Sequence, residues 1–129
     1  MAPERVLVTG CAGFIGSHLL HRLLRDGAEV KGVDNFSTGK PENIADLRNR
    51  FTFIEGDLCD RAVAARAADG VDYVLHQASI PSVPRSVSDP LASLHSSVTA
   101  TVTLLLAAKE AGVRRVVQAA SSSAYGDSE

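Results

Sequence analysis

The stretch Val6-Leu7-Val8-Thr9-Gly10-Cys11-Ala12-Gly13-Phe14-Ile15-Gly16 passes from an apolar run, short enough for a strand, into three evenly spaced glycines. The residues that follow, 17–24, carry apolar side chains at the spacing of a helix. A strand, a glycine turn and a helix in this order present unpaired backbone N–H groups and the positive end of a helix dipole to a diphosphate. The stretch therefore predicts a dinucleotide site.

Each glycine has its own part in this prediction. Gly10 permits the tight turn out of the strand, and Gly13 removes a Cβ where the phosphates would approach the backbone. Gly16 lets the helix lie close against the sheet. A merely flexible glycine loop is the alternative, and the elements on either side of the glycines argue against it.

Asp34 supplies a second signal for the same site. It ends a predicted strand at 29–33 and lies about twenty residues past the glycine turn, where a dinucleotide fold places the acid that accepts both ribose hydroxyls. A carboxylate there would repel a 2′-phosphate, and residues 35–40 contain no arginine that would attract one. We therefore predict NAD rather than NADP, with a turn-forming aspartate as the alternative for Asp34.

Strand and helix patterns alternate along the rest of the chain. We expect strands at 5–9, 29–33, 51–55, 72–75 and 114–120, helices at 14–26, 61–68 and 89–111, and a polar loop at 79–88. Alternation of this kind predicts an α/β fold, a Rossmann-type doubly wound parallel sheet truncated after about five strands. Residues 1–129 would form one NAD-binding domain without a C-terminal substrate lobe.

Composition restricts the partners and the location of the protein. The 129 residues are 45% hydrophobic and 22% charged, with a net charge of −2, which favours neither nucleic acid nor a membrane as a partner. We find no apolar run long enough to span a bilayer and no signal-peptide pattern. Cys11 and Cys59 are too few for a disulfide framework, so we expect a cytoplasmic protein. His18 and His21 are interpreted as surface residues, and no metal site is predicted.

Other polar residues have two interpretations at this stage. Asp57 could accept from an adenine amino group, whereas Asp57 or Asp60 could instead cap the next helix. Arg85 could contact acidic groups of a substrate or be solvated. Ser121 to Ser123 follow the fifth strand, where their hydroxyls would point at a ligand crevice, or they could form an ordinary serine-rich turn.

Five motifs together resemble the extended short-chain dehydrogenase/reductases, the group of NAD-dependent sugar-nucleotide epimerases and dehydratases. The resemblance covers essentially the whole chain. Its motifs are Thr9-Gly10-Cys11-Ala12-Gly13-Phe14-Ile15-Gly16, Asp34-Asn35, Gly56-Asp57-Leu58, His76-Gln77-Ala78 and Ser121-Ser122-Ser123-Ala124-Tyr125-Gly126.

The resemblance implies a role for each of these segments. Around the cofactor it assigns the diphosphate to Gly10, Gly13, Phe14 and Ile15, the adenosine ribose to Asp34, Asn35, Ser37 and Gly39, the adenine to Asp57 and Leu58, and the nicotinamide side to Gln77, Ala78 and Ser79. Gly16 completes the set of cofactor-binding residues. It makes Ser121 the catalytic serine and turns Ser122 and Ser123 toward a sugar.

The same resemblance suggests a substrate and an assembly. The loop Ser82-Val83-Pro84-Arg85-Ser86 is similar to that of UDP-sugar 4-epimerases that accept N-acetylated hexosamines. The implied partner is a UDP-hexose or UDP-N-acetylhexosamine, with Arg85 near it, and the implied assembly is a homodimer formed through the long helix. An exposed sheet edge would also favour self-association.

The chain departs from the family pattern in places. Ser97 and Ala100 replace an asparagine and a glycine, and Ser79 replaces a smaller or apolar residue. The sequence also contains no Tyr-x-x-x-Lys pair, so we expect an N-terminal portion that binds NAD and does not turn over a sugar by itself. A sugar-nucleotide 4,6-dehydratase and a non-catalytic NAD-binding module are the alternatives.

Overall fold

Five parallel strands form one sheet in the order β3-β2-β1-β4-β5. They are β1 (Arg5–Thr9), β2 (Glu29–Asp34), β3 (Thr52–Glu55), β4 (Tyr73–His76) and β5 (Arg115–Gln118). The computed structural model describes residues 2–80 and 82–127. The chain runs outward from β1 in one direction and then returns to continue in the other, which confirms the predicted doubly wound fold.

The helices are α1 (Phe14–Arg25), α2 (Arg61–Ala68), α3 (Val83–Ser88), α4 (Pro90–Leu94) and α5 (Ala100–Glu110). A π-helical turn, His95–Thr99, joins α4 to α5, so that Pro90–Glu110 is one continuous helix, here called the long helix. Short 3₁₀ turns occur at Pro41–Asn43, Ala45–Leu47 and Ser122–Tyr125.

Both faces of the sheet are covered because β1 alternates its side chains. Leu7 packs in a core cluster with residues of α2 and α5, among them Ala64 and Leu104. Val8 points to the other face and packs in a second cluster with Leu20 of α1 and with residues of the 3₁₀ turns. The strand order reverses beside β1, which leaves a crevice at the carboxyl ends of the strands.

The side chains of two aspartates cap helix starts. The side chain of Asp60 accepts from the N–H of Ala62 at 2.9 Å and caps α2. The side chain of Asp89 accepts from the N–H of Ala92 at 3.1 Å and caps the long helix. Of the two candidates for the cap of α2, Asp60 therefore makes it.

The prediction of a polar loop at 79–88 is wrong over its second half, where α3 forms. Ser82 caps this helix by accepting from the N–H of Arg85 at 3.3 Å, and Pro84 lies in its first turn. Serine followed by proline at these positions is a helix-start signal, and the density of polar residues concealed it.

The π-helical turn was not predicted either, and a run of hydroxyl residues accounts for it. The hydroxyls of Thr101 and Thr103 donate to the carbonyls of Ser97 and Thr99 at 2.7 and 2.9 Å. Ser96 donates in the same way to the carbonyl of Ser93 at 3.2 Å. Such side-chain bonds compete with the backbone ladder and distort a helix locally.

The expectation that no segment is long and apolar enough to span a bilayer is wrong, because the long helix meets both criteria. The long helix has 21 residues and a mean hydropathy of 1.5 over its best window, with 17% of that window buried. Core helices of soluble proteins satisfy the same criterion, and the inner face of this helix carries the buried residues Ala100, Leu104 and Ala107.

The glycine turn between β1 and α1 is tighter than the sequence indicated. Gly10 has φ +63°, a conformation that glycine adopts at no steric cost. A Cβ on Gly16 would overlap the carbonyl oxygen of Gly10, so the close approach is to the turn itself rather than to the sheet. Within the described part of the chain, a Cβ on Gly13 would have only that oxygen nearby, at 3.3 Å.

We expect Gly16→Ala to destabilise the fold more than Gly13→Ala, because its methyl group would displace backbone. Forced overpacking costs about 1–3 kcal/mol, whereas alanine in place of glycine at a helix N-cap costs about 1 kcal/mol or less. Urea unfolding followed by circular dichroism measures both variants. Equal free energies of unfolding would contradict the close approach at Gly16.

Candidate functional site

A cleft that is open to solvent on one side lies at the carboxyl edge of the sheet. Every strand from β1 to β4 ends at it, and the long helix closes one side. Its lining consists of Gly10, Gly13, Val33, Asp34, Asn35, Ser37, Thr38, Gly39, Gly56, Asp57, Leu58, Gln77, Ala78, Ser79, Ile80, Ser96 and Ala100.

Most of the residues predicted to meet the cofactor line this cleft. Phe14, Ile15 and Gly16 do not, because they form the first turn of α1 beside it. The side chains of Phe14 and Ile15 are exposed, and Gly16 is buried against the glycine turn. Among the residues described, no side chain caps α1, so its first N–H groups remain available to an anion.

The glycines leave room where a diphosphate would need it. A Cβ on Gly13 would point into space that is open apart from one carbonyl oxygen among the residues described. A Cβ on Gly39 would come within 2.9 Å of Asp34 Oδ2 and within 3.0 Å of Ala12. The open space, the uncapped helix and the nearby carboxylate together fit a dinucleotide.

The side chain of Asp34 joins the glycine turn to the loop after β2, at the place where the adenosine ribose is predicted to bind. Its Oδ2 accepts from the N–H of Ala12 at 2.9 Å, and its Oδ1 accepts from the N–H of Phe36 at 2.8 Å. An ionised carboxylate has about four acceptor positions, so two remain for hydroxyl groups. The side chain can therefore hold the loops in place and still receive a ribose diol.

The loop after β2 is held in an uncommon backbone conformation. Phe36 has φ +57°, which is rare for a residue other than glycine. Its ring packs against Phe53, with 5.5 Å between ring centroids, and this contact anchors the loop to β3. Asn35 Oδ1 accepts from the N–H of Ser37 at 3.0 Å, which completes a tight turn beside the cleft.

Asp57 lines the cleft and is not the helix cap. Its Oδ1 accepts from the N–H of Cys59 at 2.9 Å, a local turn that orients the carboxylate. Since Asp60 caps α2, the second carboxylate oxygen of Asp57, Oδ2, is not used for that cap. This placement is compatible with the predicted contact to an adenine amino group.

The end of β4 lies directly against the glycine turn. A Cβ on Gly10 would come within 3.0 Å of the Cα and N of Ala78 and within 3.1 Å of the carbonyl carbon of Gln77. The lack of a side chain at Gly10 therefore serves this contact as well as the turn. The two walls of the cleft are in backbone contact at this point.

Several lining residues were missed by the sequence analysis: Val33, Thr38, Gly56, Ile80, Ser96 and Ala100. Ser96 and Ala100 are four positions apart on the long helix and therefore share one of its faces, but no local pattern indicates that this face borders the cleft. The others are neighbours of predicted residues and follow once the strand ends are known.

The four residues predicted to meet the substrate also lie outside the lining of the cleft. Ser121 to Ser123 follow β5 at the same edge of the sheet and are exposed, with Ser121 Oγ accepting from the N–H of Ser123 at 3.1 Å. Arg85 is exposed on α3. Their contact with a sugar stays a prediction.

Cys11 in the glycine turn is a packing residue. Its side chain is fully buried, and a Cβ on Gly32 of β2 would come within 2.7 Å of its sulfur. Burial, and to a smaller extent the negative charge of Asp34, raise the pKa of the Cys11 thiol to about 12. The thiol is therefore protonated at neutral pH and is not a nucleophile for the cleft.

Known proteins share this fold and these motifs. A UDP-glucose 4-epimerase of Mycolicibacterium smegmatis is 44% identical over 126 residues, which is 95% of this chain and 40% of that protein. UDP-glucuronic acid decarboxylase 1 of Danio rerio is 37% identical over 126 residues, 98% of this chain and 29% of that protein. The chain thus spans less than half the length of either relative.

A solved UDP-glucose 4-epimerase of Stenotrophomonas maltophila, with bound NAD and formylated UDP-arabinopyranose, superposes with a TM-score of 0.90. It is 32% identical, and the match covers 98% of this chain and 39% of that one. The sequence profile of the NAD dependent epimerase/dehydratase family matches residues 6–129. The predicted cofactor, NAD, is confirmed, and the chain belongs to the NAD dependent epimerase/dehydratase family.

Proposed function

We propose that this chain is the cofactor-binding part of a NAD-dependent UDP-sugar 4-epimerase. The observation that carries the proposal is the cleft, in which Asp34, an uncapped helix start and three close glycines meet at one corner. Epimerases among its relatives support the choice of reaction within the family. Bound at this cleft, NAD would supply the hydride-transfer chemistry that a transient oxidation at C4 of the sugar and its reversal on the other face require.

The residues of the chain bind and orient in this scheme. The N–H groups at the start of α1 would hold the diphosphate, and the free acceptor positions of Asp34 would hold the adenosine ribose. Gln77, Ala78 and Ser79 would support the nicotinamide side, since they line the opposite wall. Water would be excluded from the corner where Gly10 contacts Ala78, because the backbones touch there.

The sugar end of the proposal depends on the serines after β5. Ser121 would hydrogen-bond the reacting oxygen, and Ser122 and Ser123 would face the sugar. A 4,6-dehydratase would require an acid–base carboxylate pair at this place, and two serines favour the epimerase. An exposed serine hydroxyl is not a base at neutral pH, so we propose that this chain alone does not turn over a sugar.

The substrate and assembly are proposed on separate features. The segment Ser82–Ser86 favours a UDP-hexose or UDP-N-acetylhexosamine. The outer face of the long helix is apolar and exposed at Leu91, Leu94, Val98, Val102, Leu105 and Leu106, and we propose that it forms a homodimer. We also propose a cytoplasmic location, because two cysteines are too few for a disulfide framework.

We expect the chain to bind NAD at least about tenfold more tightly than NADP, a difference of about 1.4 kcal/mol. The physical reason is repulsion between the carboxylate of Asp34 and a 2′-phosphate. Asp34→Asn should bring the ratio of the NAD affinity to the NADP affinity closer to one. A general loss of folded protein weakens the binding of both ligands equally, so it does not change this ratio. Isothermal titration calorimetry with NAD and NADP measures it.

Asp46→Asn is the matched control, because it removes the same charge from an exposed position outside the cleft. It should leave the ratio of affinities unchanged. Equal binding of NAD and NADP by the original chain would contradict the proposed role of Asp34. No NAD binding at all would contradict the proposed function.

We also expect Val98→Glu to reduce self-association, because a charge in an apolar helix interface is desolvated without a partner. The measurement is molar mass by light scattering coupled to size-exclusion chromatography over a range of concentrations. Val87→Glu is the control, since it places the same charge at another exposed valine, on α3 and outside the long helix. A chain that is monomeric throughout would exclude the proposed dimer face.

A further inference from the structure

A chain of hydrogen bonds, buried at its central contact between Thr9 and His76, runs from the cofactor cleft to the long helix. Thr9 Oγ1 accepts from the N–H of Gln77 at 2.9 Å and from the N–H of Ala78 at 3.0 Å. It also lies 2.6 Å from His76 Nδ1. On the other side of the ring, His76 Nε2 lies 2.9 Å from Thr101 Oγ1.

The number of donors and acceptors in these contacts determines which atoms of Thr9 and His76 carry the protons. A hydroxyl oxygen has two acceptor positions, and both on Thr9 are used by the two backbone N–H groups. The hydroxyl proton of Thr9 must therefore go to His76, and Nδ1 must be the acceptor. A neutral imidazole with an unprotonated Nδ1 carries its proton on Nε2, which donates to Thr101.

Thr101 closes the chain in the same sense. Its hydroxyl donates to the carbonyl of Ser97 at 2.7 Å, which leaves its oxygen free to accept from His76. Every donor then meets an acceptor from Gln77 to Ser97, and the side chains of Thr9 and His76 are almost completely buried. Only one tautomer of His76 satisfies all of these contacts.

From this geometry we propose that neutral His76 is a positioning residue that, through Thr9, fixes the Gln77–Ala78 wall of the cofactor cleft against the glycine turn. This role rests on the proposed function of the cleft as the NAD site. His76 itself does not line the cleft, and it acts through the hydroxyl direction that it imposes. Gln77 and Ala78 are the residues that would meet the cofactor.

Protonation of His76 would disrupt the arrangement. A proton on Nδ1 would face the hydroxyl of Thr9, whose oxygen has no third acceptor position and whose own proton would lose its partner. One of the N–H bonds to Gln77 or Ala78 must then break. The wall in contact with Gly10 would loosen, and the affinity for NAD would fall.

The surroundings of the ring determine the direction of the pH dependence. His76 is paired in the sheet with Thr9 on β1 and Gln118 on β5, and it meets Thr101 on α5, all of them uncharged. Burial lowers the pKa of His76 below its ordinary value, because the charged ring is poorly solvated there. The stabilisation that the neutral His76 ring contributes is fully present above about pH 6.5. It is lost as the pH falls through the lowered pKa of His76.

The test measures the hydrogen-bond chain through Thr9 and His76 in the absence and in the presence of NAD. Long-range ¹⁵N spectra of the imidazole give the tautomer, and hydrogen exchange gives the protection of the Gln77 and Ala78 amides between pH 8 and pH 5. In the original chain we expect Nε2–H and a protection factor that falls as the pH falls. His76→Asn cannot titrate in this range, so its protection factors should not change with pH.

Thr101→Val tests the far end of the chain. It removes the acceptor of Nε2–H, and at pH 8 it should lower the protection of both amides and the affinity for NAD by about tenfold, the effect of about one lost buried hydrogen bond. Thr103→Val is the matched control, because Thr103 makes the same bond four residues back on the same helix without meeting His76.

An Nδ1–H tautomer at pH 8, or identical pH profiles of amide protection in the original chain and His76→Asn, would overturn the role of His76. Failure of NAD to bind at pH 8 would overturn the proposed function instead, and the amide protection would still decide the inference. His18, His21 and His95 are present in every variant, so the difference between variants isolates His76.

Discussion

The close contact at Gly10 is the constraint on which the rest of the structure depends. Three segments meet there without an intervening side chain: the end of β1, the start of α1 through Gly16, and the end of β4 through Gln77 and Ala78. Because the backbones touch, the first N–H groups of α1 are held beside the carboxyl ends of the strands. A side chain at this point would separate the two walls of the cleft.

Polar groups near this contact serve the fold and the cleft at the same time. Asp34 bonds to the backbone of the glycine turn and of the following loop, and the same carboxylate lines the cleft. Thr9 is buried in the sheet and bonds to the backbone of the opposite wall. The site is therefore preorganised by hydrogen bonds that the fold itself needs, which reduces the ordering required when a ligand binds.

Membership of the family follows from the cofactor end of the site, whereas the reaction depends on the residues that would contact the sugar. The cleft and the sequence profile identify a member of the NAD dependent epimerase/dehydratase family, and relatives at similar identity include epimerases and a decarboxylase. Residues that choose between sugar reactions contact the sugar, and those suggested here lie outside the cleft lining. The cofactor end is thus the better determined part of the site.

The sequence by itself determined the order of elements, the glycine turn, the helix caps and most of the cleft. These depend on local rules: the period of apolar residues, the φ of glycine, and side chains that cap nearby N–H groups. It did not determine α3, whose Ser82 cap was hidden among polar residues, or the π-helical turn, which arises from competing hydroxyl bonds. Only the tertiary structure placed Ser96 and Ala100 in the cleft and joined Thr9 to His76 and Thr101, because such contacts depend on how separate strands and helices lie in space, and no local pattern encodes that distance.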